Sequence, residues 1–269
     1  MECGEDINKK TNKTMTKTPR FFCEQVIVGT YKEWLDDFVY LMACYLKNNN
    51  FAVIPFDGNN LSTLDLYNPE KIDYLVGSVE ATAYFFNLIG VETPKYLGYP
   101  KELENFFRRE FVKTTVDKLP NTYPYFFKPA NDVKKFNGEV IDSESKINFA
   151  KTYTGLSNSE EVYYCKVMNF ISEYRCFVLD GELVGVKHYK GDFTKFIDMT
   201  QVHAAIAAYK NAPSAYTLDF GVYINEDVYG GTALVEVNDF WAMGSYGLDP
   251  QIYKKMLVRR FNEIKTKIK

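Results

Sequence analysis

The chain has 269 residues, 46% hydrophobic and 25% charged, the balance of a globular protein with room for a sizeable core and one to three domains. Its 32 basic and 35 acidic residues are interspersed and sum to −3, so no basic stripe supports binding to nucleic acid or an anionic membrane, and no apolar run reaches the ~18 residues that span a bilayer. Five cysteines, Cys3, Cys23, Cys44, Cys165 and Cys176, lack CxxC spacing, and an odd count in a chain this long points to reduced thiols in a cytoplasmic compartment.

The first 20 residues, through Arg20, are polar and rich in Lys, Thr and Asn. They read as a disordered tail, without the apolar stretch of a signal peptide. Periodic structure begins with a β-rich run at Cys23–Thr30. Trp34, Leu35, Phe38, Leu41, Met42, Tyr45 and Leu46 then fall at helical spacing. Residues 51–58 form a second strand closed by Asp57-Gly58, Ile72–Ser78 a third, and Glu80–Leu88 a helix ending near Gly90. A helical stretch from Leu103 to Lys118 closes an α/β domain over residues 21–119. From Pro120 the pattern turns to strands, with one clear helix at Met199–Asn211 and another from Pro250 that carries Ile252, Met256, Leu257 and Phe261 on one face. Residues 120–269 therefore read as an α+β region. The 21 Tyr and 21 Phe fit aromatic-rich cores better than binding platforms.

The most informative stretch is TLDFGVYINEDVYGGTALVEVNDF (217–240), two strands around a turn rich in Asn, Asp and Gly. Side chains alternate between faces. Leu218, Phe220, Val222 and Ile224 share one face and leave Asp219 on the other; Ala233, Val235 and Val237 share a face and leave Glu236 and Asn238 together. Directly paired residues of a hairpin have a constant index sum. Pairing Asp219 with Glu236 centres the turn between Asp227 and Val228, the middle of the polar segment. Two carboxylates and an amide then converge. Close like charges on a sheet need neutralising, and a hard divalent cation such as magnesium does this with oxygen ligands of this kind; a solvated polar face is the other explanation.

Lys128 ends an apolar run before Pro129, so it either meets an anion such as phosphate or snorkels at the strand end. A polar loop with Lys134, Lys135 and Gly138 follows. Glu173 and Arg175 share a strand face, which suits either a site or a simple ion pair, and Lys187 lies on the returning strand after an Asp180-Gly181 turn. His188 and His203 lack any Ser or Cys partner signature for nucleophilic catalysis.

A lysine ending a strand before proline, an E-x-R strand and a D…E-x-N hairpin, in this order, resemble the ATP-grasp superfamily. The details are most similar to the clade named for replacement of an arginine by lysine, found in phage and bacterial genomes. The resembling segments are YLVGSVEATAYFFNLIGVETPKYLGYP, RREFVKTTVDKL, FFKPANDVKKFNG, ISEYRCFVLDGELVGVKHY and VEVNDFWAMGSYGLD, from about residue 70 onward. The resemblance implies an ATP-grasp fold preceded by a pre-ATP-grasp-like α/β domain. It also implies an ATP- and magnesium-dependent ligase that joins a carboxylate to an amine through an acyl-phosphate, on an amino acid, peptide or protein, in the cytoplasm (the host's, if phage-encoded).

Carried over residue by residue, Asp219, Glu236 and Asn238 would hold magnesium. Lys128 would contact ATP phosphates, with Lys113 a second candidate from the preceding helix and Lys134 or Lys135 capping them from the loop. Lys166 to Ile171 would present backbone to adenine, with Met168 and Ile171 as apolar walls, and Glu173 would accept from the ribose hydroxyls. Arg175 and Lys187 would stabilise the transferred phosphoryl group. The GSYGLDP segment offers a cradle for an anion or an ordinary turn. Two departures from the superfamily stand out: a lysine-bearing loop replaces the Gly/Ser-rich phosphate loop, and Asn169 stands where an acidic residue is common. Two other functions use parts of the same set: a catalytically silent nucleotide-binding module and a small-molecule kinase. The N-terminal half carries no motif that names the carboxylate or the amine.

Overall fold

In a computed structural model of the chain, residues 18–28, 31–68, 71–130, 136–225 and 228–266 are described. Residues 1–17 of the expected tail fall outside them, whereas Arg20 already begins the first strand, β1 (Arg20–Val28), and its amide donates to Asp73. The strand starts earlier than expected because Phe21 and Phe22 are core residues. β2 (Tyr31–Trp34) folds back antiparallel on β1, so Trp34 belongs to a strand and not to the following helix. That helix, α1 (Asp37–Asn48), is started by Asp36, whose side chain accepts from the Val39 amide. It buries Val39, Met42, Ala43 and Leu46 and leaves Leu41 exposed, a correction to the apolar face drawn from spacing.

β3 (Ala52–Asp57) and β4 (Tyr74–Val76) each run parallel to β1, and α2 (Val79–Leu88), capped by the Ser78 hydroxyl, follows. The stretch Leu103–Lys118 is where the helical expectation fails. Only α3 (Glu104–Phe107) forms. Arg108 turns left-handed and ends it, and the β-branched run beyond becomes β5 (Val112–Thr115). Lys113 is therefore a strand residue.

The second sheet has the order β5-β8-β6-β7, from β6 (Tyr125–Pro129), β7 (Glu139–Ile141) and β8 (Glu161–Lys166), with α4 (Glu144–Thr154) between β7 and β8. The third has the order β10-β9-β11-β12, from β9 (Asn169–Leu179), β10 (Glu182–Gly191), β11 (Ala215–Asn225) and β12 (Val228–Asp239), with α5 (Met199–Ala208) crossing between β10 and β11. One face of this third sheet buries Leu218, Phe220, Val222, Leu234 and Val237 against α5. The opposite face carries Glu173 and Arg175 at the cleft and passes through Phe177 into the core of the first sheet. α6 (Pro250–Lys265) closes that first core with Tyr253, Met256, Leu257, Phe261 and Ile264, so the end of the chain completes the packing of its beginning.

The hairpin register places Asp219 opposite Glu236, as the index sum requires, by a route the sum does not show. At the tip Asn225 pairs with Val228, a sum two lower, and two bulges, between Tyr223/Ile224 and Asp219/Phe220, restore it. The second bulge turns Val235 off the core face that it was expected to share with Ala233 and Val237. Leu234 takes its place in the core and Val235 is left half-buried at the cleft.

Candidate functional site

The second and third sheets face each other across a cleft bridged, among the described residues, by one ion pair. Lys128, at the end of β6, reaches Glu236 of β12 at 3.1 Å. Burial alone would lower the pKa of the Lys128 ammonium, but Glu236 outweighs it, with Tyr96 and Tyr99 adding to the effect, and the pKa stands above that of ordinary lysine. Glu236 shows the matching shift: burial pushes it up, Lys128 and the Asn238 amide pull it further down, and the net is a lowered carboxylate. The Lys128 ammonium also lies 5.0 Å from the Tyr96 ring centroid and 5.5 Å from that of Tyr99.

Behind this bridge, β9 and β11 hold a second pair in direct register. Arg175 grips fully buried Asp219 with Nε to Oδ1 at 2.8 Å and Nη2 to Oδ2 at 2.5 Å. Complete burial pushes the Asp219 carboxyl up, with Arg175 opposing it. The Arg175 guanidinium sits 4.2 Å from the Tyr246 ring centroid and has Met243 Sδ at 2.7 Å. Asn238 links the two pairs: its amide nitrogen donates to Glu236 at 3.0 Å and lies 3.4 Å from Asp219.

The Lys128–Glu236 bridge divides two chambers that share these residues and Gly138. The inner chamber, about 610 Å³, is lined by Arg109, Lys166 to Phe170, Glu173, Tyr189, Lys190 and Val235. The outer chamber, about 540 Å³, is lined by Val79, Lys95, Tyr96, Arg175, Asn238 and the Trp241–Tyr246 segment, among others. Gly138 is required where they meet: a Cβ there would lie 2.4 Å from the Phe126 ring and 3.3 Å from Lys128 Cβ.

Glu173 has a donor on each oxygen, the Tyr189 hydroxyl at 2.7 Å and Lys190 at 2.6 Å. Met168 lines the inner chamber, its sulfur accepting from Arg109 at 3.1 Å. Ile171 instead packs against the core beside α5, and Phe170 takes the wall position. Lys113 pairs with Glu161 at 3.0 Å, half-exposed, and lines neither chamber. Lys187 is registered opposite Arg175 but likewise lines neither chamber, and has no ion pair among the described residues. Lys134 and Lys135 lie outside the described residues.

Sequence reasoning passed over Arg109, Tyr96, Tyr189 and Lys190. Tyr189 and Lys190 both reach the cleft because a bulge between His188 and Lys190 breaks the alternation of β10. No local signal marks that bulge. Tyr96 and Tyr189 do fall inside resembling segments, and so does Arg109, in RREFVKTTVDKL. Its guanidinium stacks near Phe111 and Phe170, at 4.8 and 5.2 Å, and points to the carbonyls of Leu234 and Val235, tying the inner chamber's floor to β12.

A family model matches residues 106–256, more than half of the chain; it describes an ATP-grasp domain, family 2 of the clade named for the arginine-to-lysine replacement. The chain belongs to that ATP-grasp family. The match runs from α3 into α6 and takes in both sheets that form the cleft. No curated protein sequence matches significantly. Among solved structures the ATP-grasp chain is similar to D-alanine–D-alanine ligase from Bacillus anthracis complexed with ATP (TM-score 0.58, 13% identity), over 94% of this chain and 100% of that one. It is also similar to N5-carboxyaminoimidazole synthetase from Staphylococcus aureus complexed with ADP (TM-score 0.56, 11% identity, 90% of this chain and 77% of that one). A third is a RimK domain ATP-grasp protein from Sphaerobacter thermophilus (TM-score 0.52, 11% identity, 90% and 97%). At these identities the likeness establishes the fold. It extends the ATP-grasp architecture over the N-terminal lobe, which the family match does not cover.

The four described cysteines, Cys23, Cys44, Cys165 and Cys176, are free thiols, and no helix among the described residues is long and apolar enough to cross a membrane.

Proposed function

We propose that the chain is an ATP-dependent carboxylate–amine ligase, with the nucleotide in the inner chamber and the carboxylate in the outer one. The observation that carries this is the division of the cleft: two chambers meet at the ion pair of buried Lys128 and half-buried Glu236, with a second buried cation, Arg175, behind it. Phosphoryl transfer depends on positioning and on fixed positive charge, and these residues supply both where the chambers join. A carboxylate oxygen would take the γ-phosphoryl group, releasing ADP. An amine would then attack the acyl carbon, phosphate would leave, and the amine's proton would be lost. The neighbours whose names are ligase and synthetase support the choice of chemistry.

In this reading the backbone of Lys166–Phe170 faces the adenine, Met168, Phe170 and Val235 wall it, and Glu173 accepts from the ribose. A carboxylate oxygen has room for a second donor, so the Tyr189 and Lys190 bonds leave Glu173 competent. Lys128 is the phosphate cation at the junction. Lys187, Lys113, Lys134 and Lys135 keep their places as candidates for the rest of the phosphate field.

Magnesium fits two of its expected ligands directly. Glu236, its side chain 29% exposed, and Asn238 line the outer chamber and offer hard oxygen donors. Asp219 has no exposed surface and both its oxygens bind Arg175, so it would join only by exchanging one of those bonds. Arg175 and Lys128 also supply the neutralisation that the paired carboxylates need. The case for the ion therefore rests on donor chemistry and on family membership, not on unbalanced charge. When bound, magnesium offsets the charge of the phosphate oxygens during transfer.

The test is ADP release by the full chain with ATP and magnesium over a panel of carboxylates, with hydroxylamine present to trap the acyl-phosphate as a hydroxamate. Glu236→Gln should abolish at least about 99% of turnover while the protein still folds. Undiminished turnover in that variant, or a stable phosphoester in place of the hydroxamate, overturns the ligase reading.

A further inference from the structure

The donors and acceptors of the outer chamber point to the kind of substrate it takes. Two carboxylates line it and both are engaged. Glu236 receives Lys128 and Asn238 and, on the ligase reading, keeps its remaining lone pairs for magnesium, and Asp239 receives Arg260 through two bonds of 2.7 and 2.5 Å. No lining carboxylate among the described residues is left for a substrate ammonium. The donors are in the opposite condition. The Tyr96 hydroxyl is buried beside Lys128 and forms no well-aligned hydrogen bond among the described residues. Lys128 is a donor only, so it can at most approach the phenol oxygen and leaves the O–H proton without an acceptor. Lys95, the preceding residue, is exposed at the rim of the same chamber and forms no hydrogen bond or ion pair among those residues, so its charge is free to meet an anion there. A buried hydroxyl without an acceptor costs about as much as a lost hydrogen bond, so a ligand oxygen that completes it is favoured.

Resting on the ligase reading, we propose that the outer chamber selects a carboxylate that bears a second anionic group and no free ammonium. The Tyr96 hydroxyl donates to the carboxylate held at the Lys128–Glu236 junction, and Lys95 pairs with the distal anion. An α-amino acid with a free ammonium would bring a cation to a chamber whose two lining carboxylates are already engaged. Tyr246 and Trp241 supply apolar wall between the two anionic ends.

The experiment compares succinate, glutarate and N-acetylglutamate with acetate, glycine and alanine as stimulants of ADP release by the full chain with ATP and magnesium. Binding is read in parallel as thermal shifts with a non-hydrolysable ATP analogue. The three dianions should stimulate release or raise the melting temperature of the nucleotide-bound protein, and glycine and alanine should do neither. Tyr96→Phe and Lys95→Ala should each raise the dianion concentration needed for half-maximal effect by about 10- to 100-fold, the range for losing one hydrogen bond to a charged group. Their affinity for the nucleotide analogue should stay within about twofold, which separates a substrate contact from general damage. The proposal is overturned if glycine or alanine acts as well as the dianions, if both variants leave the dianion response unchanged, or if a protein that binds the analogue answers to none of the dianions. Failure to bind the analogue at all counts instead against the ATP reading.

Discussion

The core closed by α6 and the floor of the cleft are both buried, and they are built from opposite materials. Under α6, Phe21, Phe22, Phe85, Phe86 and Phe261 are packed among apolar neighbours, with ring pairs such as Phe86–Phe261 5.2 Å apart and the Lys265 ammonium at the edge. At the cleft, Lys128, Glu173, Arg175 and Asp219 are each at most 7% exposed. Apolar burial stabilises in proportion to area, whereas each buried charge costs several kcal/mol to desolvate and recovers that only through close pairing. The difference separates the part of the molecule that holds the fold from the part that pays for a function in stability. It also gives the two regions different responses to mutation.

The largest expected effect lies in the apolar region. Phe261→Ala should destabilise the protein by about 3–5 kcal/mol, read as a lowered midpoint in denaturant with little change in slope. No second substitution of a charged residue should restore it. Breaking the cleft pair should look similar at first and then diverge. Arg175→Met leaves Asp219 buried without its cation and should cost about 3 kcal/mol or more, but adding Asp219→Leu should return the protein to within roughly 1 kcal/mol of the starting chain. If the double variant is as unstable as the single one, the pair is holding the fold and the contrast between the regions fails. Tyr189→Phe removes one of two donors to Glu173 and should cost less, about 1–2 kcal/mol, because Lys190 remains. An unchanged melting curve in that variant would show that the phenol contributes nothing to the carboxylate's setting.

The same contrast governs what the sequence discloses. The apolar region was legible as periodicity: β3, β4, α2 and α6 arise where the spacing and caps place them, since a buried face repeats every 2 or 3.6 residues. The failures there come from local competition. The helical spacing from Leu103 onward is real only for a turn, and Arg108 in the left-handed region together with the Val112–Val116 run converts the rest to a strand and a short turn. In the cleft, Asp219 opposite Glu236 was legible because the polar turn constrains the index sum. The bulges that make it so were not, and with them went Val235, Tyr189 and Lys190, because a single extra residue reverses which side chains face the site. Tyr96 and Lys95 come from a loop without periodicity, where composition says nothing about direction. Paired carboxylates do need a cation, and Arg175 and Lys128 provide it from strands distant in sequence.

The smallest expected effect isolates burial from geometry. Lys113–Glu161 and Lys128–Glu236 have nearly the same length, 3.0 and 3.1 Å, but their side chains are 43%/43% and 9%/29% exposed. Coulomb attraction at one distance grows as water is excluded, and so does the penalty for leaving one partner alone. Lys113→Ala should therefore change stability by less than about 1 kcal/mol, and raising the salt concentration should erase much of even that. Lys128→Met should destabilise more, strand Glu236, and respond little to salt. Equal effects from the two substitutions would mean that the cleft is as well solvated as the surface of β5, and then neither chamber could hold a mixed anhydride away from water. Unequal effects in the stated order would mark the junction as the low-dielectric point where fixed charge does most for phosphoryl transfer.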